Sequence, residues 1–90
     1  MEEQKLKEWQ SRNAILQKAY NDYYFASKQR EKDSALNQIQ RILEWPPFMN
    51  LCEDYTVCVT GISRYGLDYN SEKCIGLIDK IAKDEMDYNF

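Results

Sequence analysis

From Glu2 to about Lys32 the chain contains no proline or glycine, and its apolar residues recur every three or four positions. This spacing places them on one side of an α-helix, because successive residues advance about 100° around the axis. The residues of this main stripe are Leu6, Trp9, Leu16, Tyr20, Tyr23 and Tyr24. A second, weaker stripe contains Ile15, Ala19 and Ala26. The sequence therefore predicts one long helix that contacts two neighbours and leaves Phe25 outside both stripes.

A second helix is predicted before the proline pair Pro46 and Pro47. Asp33 or Ser34 can cap its first turn, and its apolar residues again follow the helical period. They are Leu36, Ile39, Ile42 and Leu43, followed by Trp45. Proline disfavours a helical residue before it but suits the first turn of a new helix, so the pair predicts a corner between two helices.

The segment 48–65 carries two opposing signals. Residues 56–60 have the composition of a strand, whereas the apolar residues of the whole segment fall within one arc of a helical wheel. These apolar residues are Phe48, Leu51, Tyr55, Cys58, Val59 and Ile62. We favour a third helix, and the alternative is a β-hairpin at about 55–69, which would make the fold α+β.

A fourth helix is predicted after Gly66, which is placed to end the third helix in a left-handed conformation. Asn70 or Ser71 can begin the new helix. Its apolar stripe consists of Cys74, Leu77, Ile78 and Ile81. No repeat or linker interrupts the chain, so residues 1–90 are predicted to form a single all-α domain, a small four-helix bundle.

Residues suited to catalysis are scarce in this sequence. Histidine is absent, which removes the commonest general base and a common metal ligand. The glycines are dispersed rather than grouped in a phosphate-binding loop, and Cys52, Cys58 and Cys74 include no C-x-x-C pair. We therefore predict that the protein is not an enzyme and has no catalytic residue, metal site or cofactor.

The beginning of the chain suggests a cytoplasmic protein. Residues 1–5 contain no basic region followed by an apolar run, and no stretch approaches the length of a membrane span. An odd number of cysteines without a secretory signal is typical of reduced thiols in the cytoplasm. We expect Cys58 and Cys74 in the core and only Cys52 to be reactive.

The charge distribution favours a protein partner with a basic surface. The formal net charge is −3, and residues 46–90 hold four basic and eight acidic residues. An acidic surface repels phosphate backbones, and the basic residues of the first two helices alternate with acidic ones, so neither nucleic acid nor a membrane is the expected partner.

Aromatic residues off or beyond the helical stripes are candidates for partner contact, because tyrosine and phenylalanine offer large contact areas. Acidic residues near the end of the fourth helix are further candidates. A helix C-terminus is stabilised by cations, so acidic residues at this position do not serve helix stability and suggest a role in binding. The predicted partner-binding residues are Phe25, Tyr65, Tyr69, Asp84, Glu85, Asp87, Tyr88 and Phe90. The two stripes of the first helix also exceed what a short chain can cover, so we expect a homodimer.

These features favour a non-catalytic binding protein that inhibits or adapts its partner, as immunity proteins, antitoxins and phage inhibitors of host defence do. One alternative is a helical oligomer that holds a small ligand such as a nucleotide, with tyrosines stacked on the base. Another is a DNA-binding regulator. The residues that could form its recognition helix are Asn37, Gln38, Gln40 and Arg41.

Overall fold

The computed structural model describes residues 2–51 and 66–87, and this part of the chain forms four helices and no strand. The helices are α1 (Glu3–Phe25), α2 (Gln29–Leu43), α3 (Pro46–Leu51) and α4 (Tyr69–Ala82). The prediction of an all-α domain is confirmed. The predicted third helix begins at Pro46, and its continuation beyond Leu51 lies outside the described residues, as does most of the alternative hairpin at 55–69.

Helix α1 lies between α2 and α4 and packs against both. Both neighbours run antiparallel to it: Trp9 near the start of α1 contacts Trp45 just after α2, and Gln10 Nε2 donates a hydrogen bond of 3.1 Å to the Ala82 carbonyl at the end of α4. The short α3 packs against α2 and α4. The buried core consists of Trp9, Leu16, Ala19, Leu36, Ile39, Leu43, Phe48, Cys74, Ile75, Ile78, Ile81 and Ala82.

The proline corner is confirmed, since Pro46 and Pro47 occupy the first turn of α3. The turn brings Phe48 against two tryptophans, with ring centroids 4.9 Å from Trp9 and 4.8 Å from Trp45. Edge-on and tilted arrangements of this kind suit the charge distribution of aromatic rings. The corner therefore closes one end of the core with a three-ring cluster.

Two helix boundaries differ from the predicted ones. Helix α1 ends at Phe25 rather than near Lys32, and α2 already begins at Gln29, without a side-chain cap from Asp33 or Ser34. The chain reverses at 26–28, where no proline or glycine marks the turn. Reversal at this point lays the apolar stripe of α2 along α1, and this burial outweighs the local preference for a continuous helix.

The start of α4 also differs from the predicted one, because the cap is Asp68 rather than Asn70 or Ser71. The Asp68 carboxylate accepts a hydrogen bond of 2.8 Å from the Ser71 backbone N–H, which satisfies one of the unpaired donors in the first turn of a helix. The helix accordingly begins at Tyr69.

Among the described residues, most positions of the predicted stripes are buried or half-buried, and two positions on α1 are exposed. Ile15 is 49% exposed and Tyr24 is 50% exposed. Ile15 lies on the side of α1 that neither α2 nor α4 covers fully, and Tyr24 lies at the outer edge of the contact with α4. Position on a stripe therefore does not guarantee burial when the neighbouring helices cover only part of α1.

The prediction of reduced cysteines is wrong for Cys74, which is disulfide-bonded. Its predicted burial is confirmed, because it is 3% exposed on the inner side of α4. Cys52 and Cys58 lie outside the described residues. None of the helices in the described ranges combines the length and apolar character needed to cross a membrane.

Candidate functional site

Five of the eight predicted partner-binding residues lie in the described ranges, and all five are exposed. Phe25 is 85% exposed and Tyr69 is 77% exposed. The three acidic residues Asp84, Glu85 and Asp87 are also exposed. The remaining predicted residues, Tyr65, Tyr88 and Phe90, lie outside the described part of the chain.

The structure separates these residues instead of gathering them into one surface. Tyr69 begins α4 beside the C-terminal end of α1, whereas residues 84–87 follow α4 beside the N-terminal part of α1. Tyr24 and Gln10 mark the two ends of the contact between α1 and α4, and at 1.5 Å per residue they are about 21 Å apart along the helix. The aromatic and acidic candidates therefore lie at opposite ends of the molecule.

The aromatic end carries a surface that we call the tyrosine edge. It consists of Tyr20, Tyr24 and Glu72, which contact one another, and of Tyr69, which lies one turn before Glu72 on the same side of α4. The Tyr20 hydroxyl donates a hydrogen bond of 3.2 Å to the Tyr24 hydroxyl, which in turn donates to the Glu72 carboxylate. The rings of Tyr20 and Tyr24 pack edge to face with centroids 4.7 Å apart. This chain of contacts holds Tyr24 in place while half of its surface faces solvent.

Hydrogen bonding also controls the ionisation of Tyr24. Its hydrogen bond to Glu72, reinforced by the one from Tyr20, raises the pKa of Tyr24 well above its ordinary value of 10.0. The Tyr24 hydroxyl therefore remains protonated, and acts as a donor, to a higher pH than an ordinary tyrosine hydroxyl does. The sequence placed Tyr24 on the main stripe of α1 and not among the candidates for partner contact, and no sequence signal pairs it with Glu72.

Tyr23 lies behind the tyrosine edge and connects three parts of the fold. Its ring is 5.5 Å from that of Tyr24, and the Lys32 ammonium of α2 lies 5.8 Å from the Tyr23 ring centroid. Its hydroxyl lies against Gly66, whose φ of 87° confirms the predicted left-handed conformation. These contacts position the end of α1 relative to α2 and the segment that precedes α4.

A hydrogen-bonded network sets the register between α1 and α4. Asn13 is only 9% exposed, and its Nδ2 donates to Asp79 Oδ1 at 3.2 Å while its Oδ1 accepts from Gln17 Nε2 at 3.1 Å. Lys83 pairs with Asp79 Oδ2 at 2.9 Å. The hydrogen bond from Lys83 lowers the pKa of Asp79, and Asn13 adds to this effect against the opposing effect of partial burial.

The acidic residues after α4 belong to an ordered turn. The Glu85 N–H donates to the Lys80 carbonyl at 2.8 Å, and the Asp84 N–H donates to the Ile81 carbonyl at 3.0 Å. Asp84 has a φ of 60°, so the turn is a Schellman motif with aspartate where glycine is usual. Backbone hydrogen bonds therefore hold Asp84 and Glu85 at the surface.

A groove between α1 and α2 lies beside Phe25, and we call it the Phe25 groove. Its volume is about 620 Å³, and it is lined by Asp22, Phe25, Ala26, Arg30, Glu31, Ser34, Ala35 and Gln38. The two alanines are the least exposed of these residues and form its floor. Phe25 follows Tyr24 and points about 100° away from it around α1, so the groove and the tyrosine edge are separate surfaces.

A second, smaller groove of about 380 Å³ lies at the proline corner, between the start of α1 and α3. Trp45 forms part of its wall together with Pro46 and Pro47. The Arg12 guanidinium already lies over the Trp45 ring, 4.5 Å from its centroid. An arginine of the chain itself therefore covers one face of the Trp45 ring.

Comparisons with known proteins found no match to the chain among family models, curated proteins or solved structures.

Proposed function

We propose that this protein acts without catalysis, as an inhibitor or adaptor that binds another protein through the tyrosine edge. The observation that carries the proposal is the exposure of Tyr69 and Tyr24 beside the Glu72 carboxylate. Tyrosine is enriched among the residues that dominate binding energy, because a large ring with few rotatable bonds loses little entropy when it is buried. The hydrogen bonds of Tyr24 hold its ring in position before a partner arrives.

The partner is a protein with a basic surface. Tyrosine ring faces attract arginine and lysine, and the Glu72 carboxylate retains acceptor capacity beyond its bond to Tyr24. The net charge of −3 attracts such a partner at longer range. The exposed carboxylates of Asp84 and Glu85, at the far end of the molecule, contribute to association rate rather than to the contact itself.

The alternatives find less support in the geometry. In the Phe25 groove, Asp22 and Glu31 outnumber the guanidinium of Arg30, and two carboxylates repel the phosphates of a nucleotide. The residues of α2 that could form a DNA-recognition helix do not lie together on one exposed face. Gln38 lines the Phe25 groove, and Gln40 is half-buried. Protein binding of the type expected for an immunity protein, antitoxin or phage anti-defence protein therefore remains the proposed class.

Site-specific photo-crosslinking tests the proposal. A benzophenone amino acid at position 69 is expected to give a discrete protein adduct in extracts of the native host, identified by mass spectrometry. The same probe at Asn37, exposed on α2, is the matched control and should not give that adduct. Excess unlabelled protein should suppress the adduct, and excess Y24A/Y69A protein should not. Identical adducts from both positions, or none from position 69, would refute the proposal.

A further inference from the structure

The Phe25 groove combines a projecting ring and a recess on the same surface. The Phe25 side chain is almost fully exposed, although burial of a phenyl ring is strongly favourable. The recess beside it has a floor of Ala26 and Ala35, whose short side chains leave the space open. Its volume of about 620 Å³ falls in the range that accommodates groups larger than a phenyl ring.

The charges around the recess include both signs. Arg30 stands among the lining residues with Asp22 and Glu31, and none of the three forms an ion pair within the described ranges. A two-fold axis that passes between Arg30 and these carboxylates brings the guanidinium of one copy against Asp22 or Glu31 of the other, and in this arrangement the surface is complementary to itself.

We infer that two copies of this chain pair through the Phe25 groove, each inserting Phe25 into the recess of the other. A closed two-fold pair buries both rings and leaves no unfilled recess, which explains why ring and recess lie side by side. Ile15 extends the apolar part of this surface, since it lies about two turns before Asp22 on the same side of α1.

This pairing goes beyond the proposed function and is compatible with it. The tyrosine edge and the Phe25 groove are separate surfaces, since Tyr24 and Phe25 point about 100° apart around α1, so a dimer formed through the groove leaves two tyrosine edges exposed. Two linked copies of a binding surface increase avidity for a partner that is itself repeated or dimeric.

Sedimentation velocity of the full chain over a concentration series tests the inference. The wild-type protein is expected to reach the mass of two chains, and F25A should raise the dimer dissociation constant by about tenfold or more. Y69A removes an exposed aromatic from the other surface and is the matched control, with an unchanged dissociation constant. Phe25 lies outside the core, so F25A should keep the helical circular dichroism spectrum of the parent.

Charge reversal provides a second arm that does not depend on the aromatic ring. R30E should weaken the dimer, and the swapped variant D22R/R30E should restore it, because opposite charges again meet across the axis. A single-chain mass at all concentrations, or a dimer that F25A and R30E leave unchanged, would overturn the inference. Either result leaves the crosslinking test at position 69 unaffected, so the two proposals can fail separately.

Discussion

At the scale of single residues, Gly66 and Gly76 differ in what their backbone allows. Gly66 has a φ of 87°, in the left-handed region, and a Cβ there would lie 2.6 Å from the Tyr23 hydroxyl oxygen. Gly76 lies inside α4, where a Cβ would meet nothing within 4 Å. Glycine is therefore needed at position 66. At position 76 it only adds flexibility to the helix and to the unfolded chain, which lowers stability.

Alanine substitution should therefore act in opposite directions at the two glycines. We expect G66A to lower the free energy of unfolding by about 1–2 kcal/mol, the cost of a left-handed conformation for a residue with a side chain. We expect G76A to raise it by up to about 1 kcal/mol, the difference in helix propensity. Urea unfolding of both variants measures these changes, and a loss of stability in both would contradict the assignment of Gly76 to an open helix surface.

Asp79 should make the stability of the protein depend on pH. Its pKa is lowered in the folded state, chiefly by the hydrogen bond from Lys83, so the folded state favours the ionised form. Its contribution is fully present above the ordinary value of 3.8 and is lost as pH falls from there through the lowered pKa. D79N should be less stable than the parent at neutral pH and lose less stability on acidification.

Urea unfolding at a series of pH values measures this effect. K83M removes the main cause of the lowered Asp79 pKa. Like D79N, it should reduce the loss of unfolding free energy on acidification. An acid dependence in D79N as steep as that of the parent would assign the effect to other carboxylates.

At the scale of helices, the start of α4 depends on one side chain. The Asp68 carboxylate accepts from the Ser71 N–H, and an N-cap of this kind typically contributes about 1 kcal/mol. D68A should therefore lower the free energy of unfolding by about that amount. N70A is the matched control, because Asn70 is an exposed residue of the same turn and its substitution should change stability by less than about 0.5 kcal/mol. Equal effects would show that Asp68 does not act as the cap.

At the scale of the whole molecule, the disulfide at Cys74 ties α4 to another part of the protein. A disulfide stabilises a fold mainly by restricting the unfolded chain, typically by about 2–4 kcal/mol. Reduction should lower the melting temperature, and C74A should melt at the same temperature with and without reductant. Thiol titration of the unreduced, denatured chain should detect one of the three cysteines. Three titratable thiols would restore the original expectation of reduced cysteines.

Local patterns in the sequence were sufficient to identify the class of fold and much of its core. The helical period of apolar residues predicted α1, α2 and α4, and Pro46 and Pro47 predicted the corner, because these signals act within a few residues of the chain. The same period left Phe25 off both stripes, and the structure places its side chain in solvent. The left-handed conformation of Gly66 was predicted from its place between two apolar periods.

Only the tertiary structure decided where the helices meet and which surfaces they leave open. The reversal at 26–28 carries no local breaker, so the end of α1 depends on burial gained against α2, a non-local quantity. The antiparallel packing of α4 pairs Tyr24 with Glu72 and Asn13 with Asp79, residues far apart in the sequence. The same packing places the aromatic and the acidic candidates for partner contact at opposite ends of the molecule. The sequence gives the position of a residue along its own helix, but its position relative to other helices depends on how those helices pack.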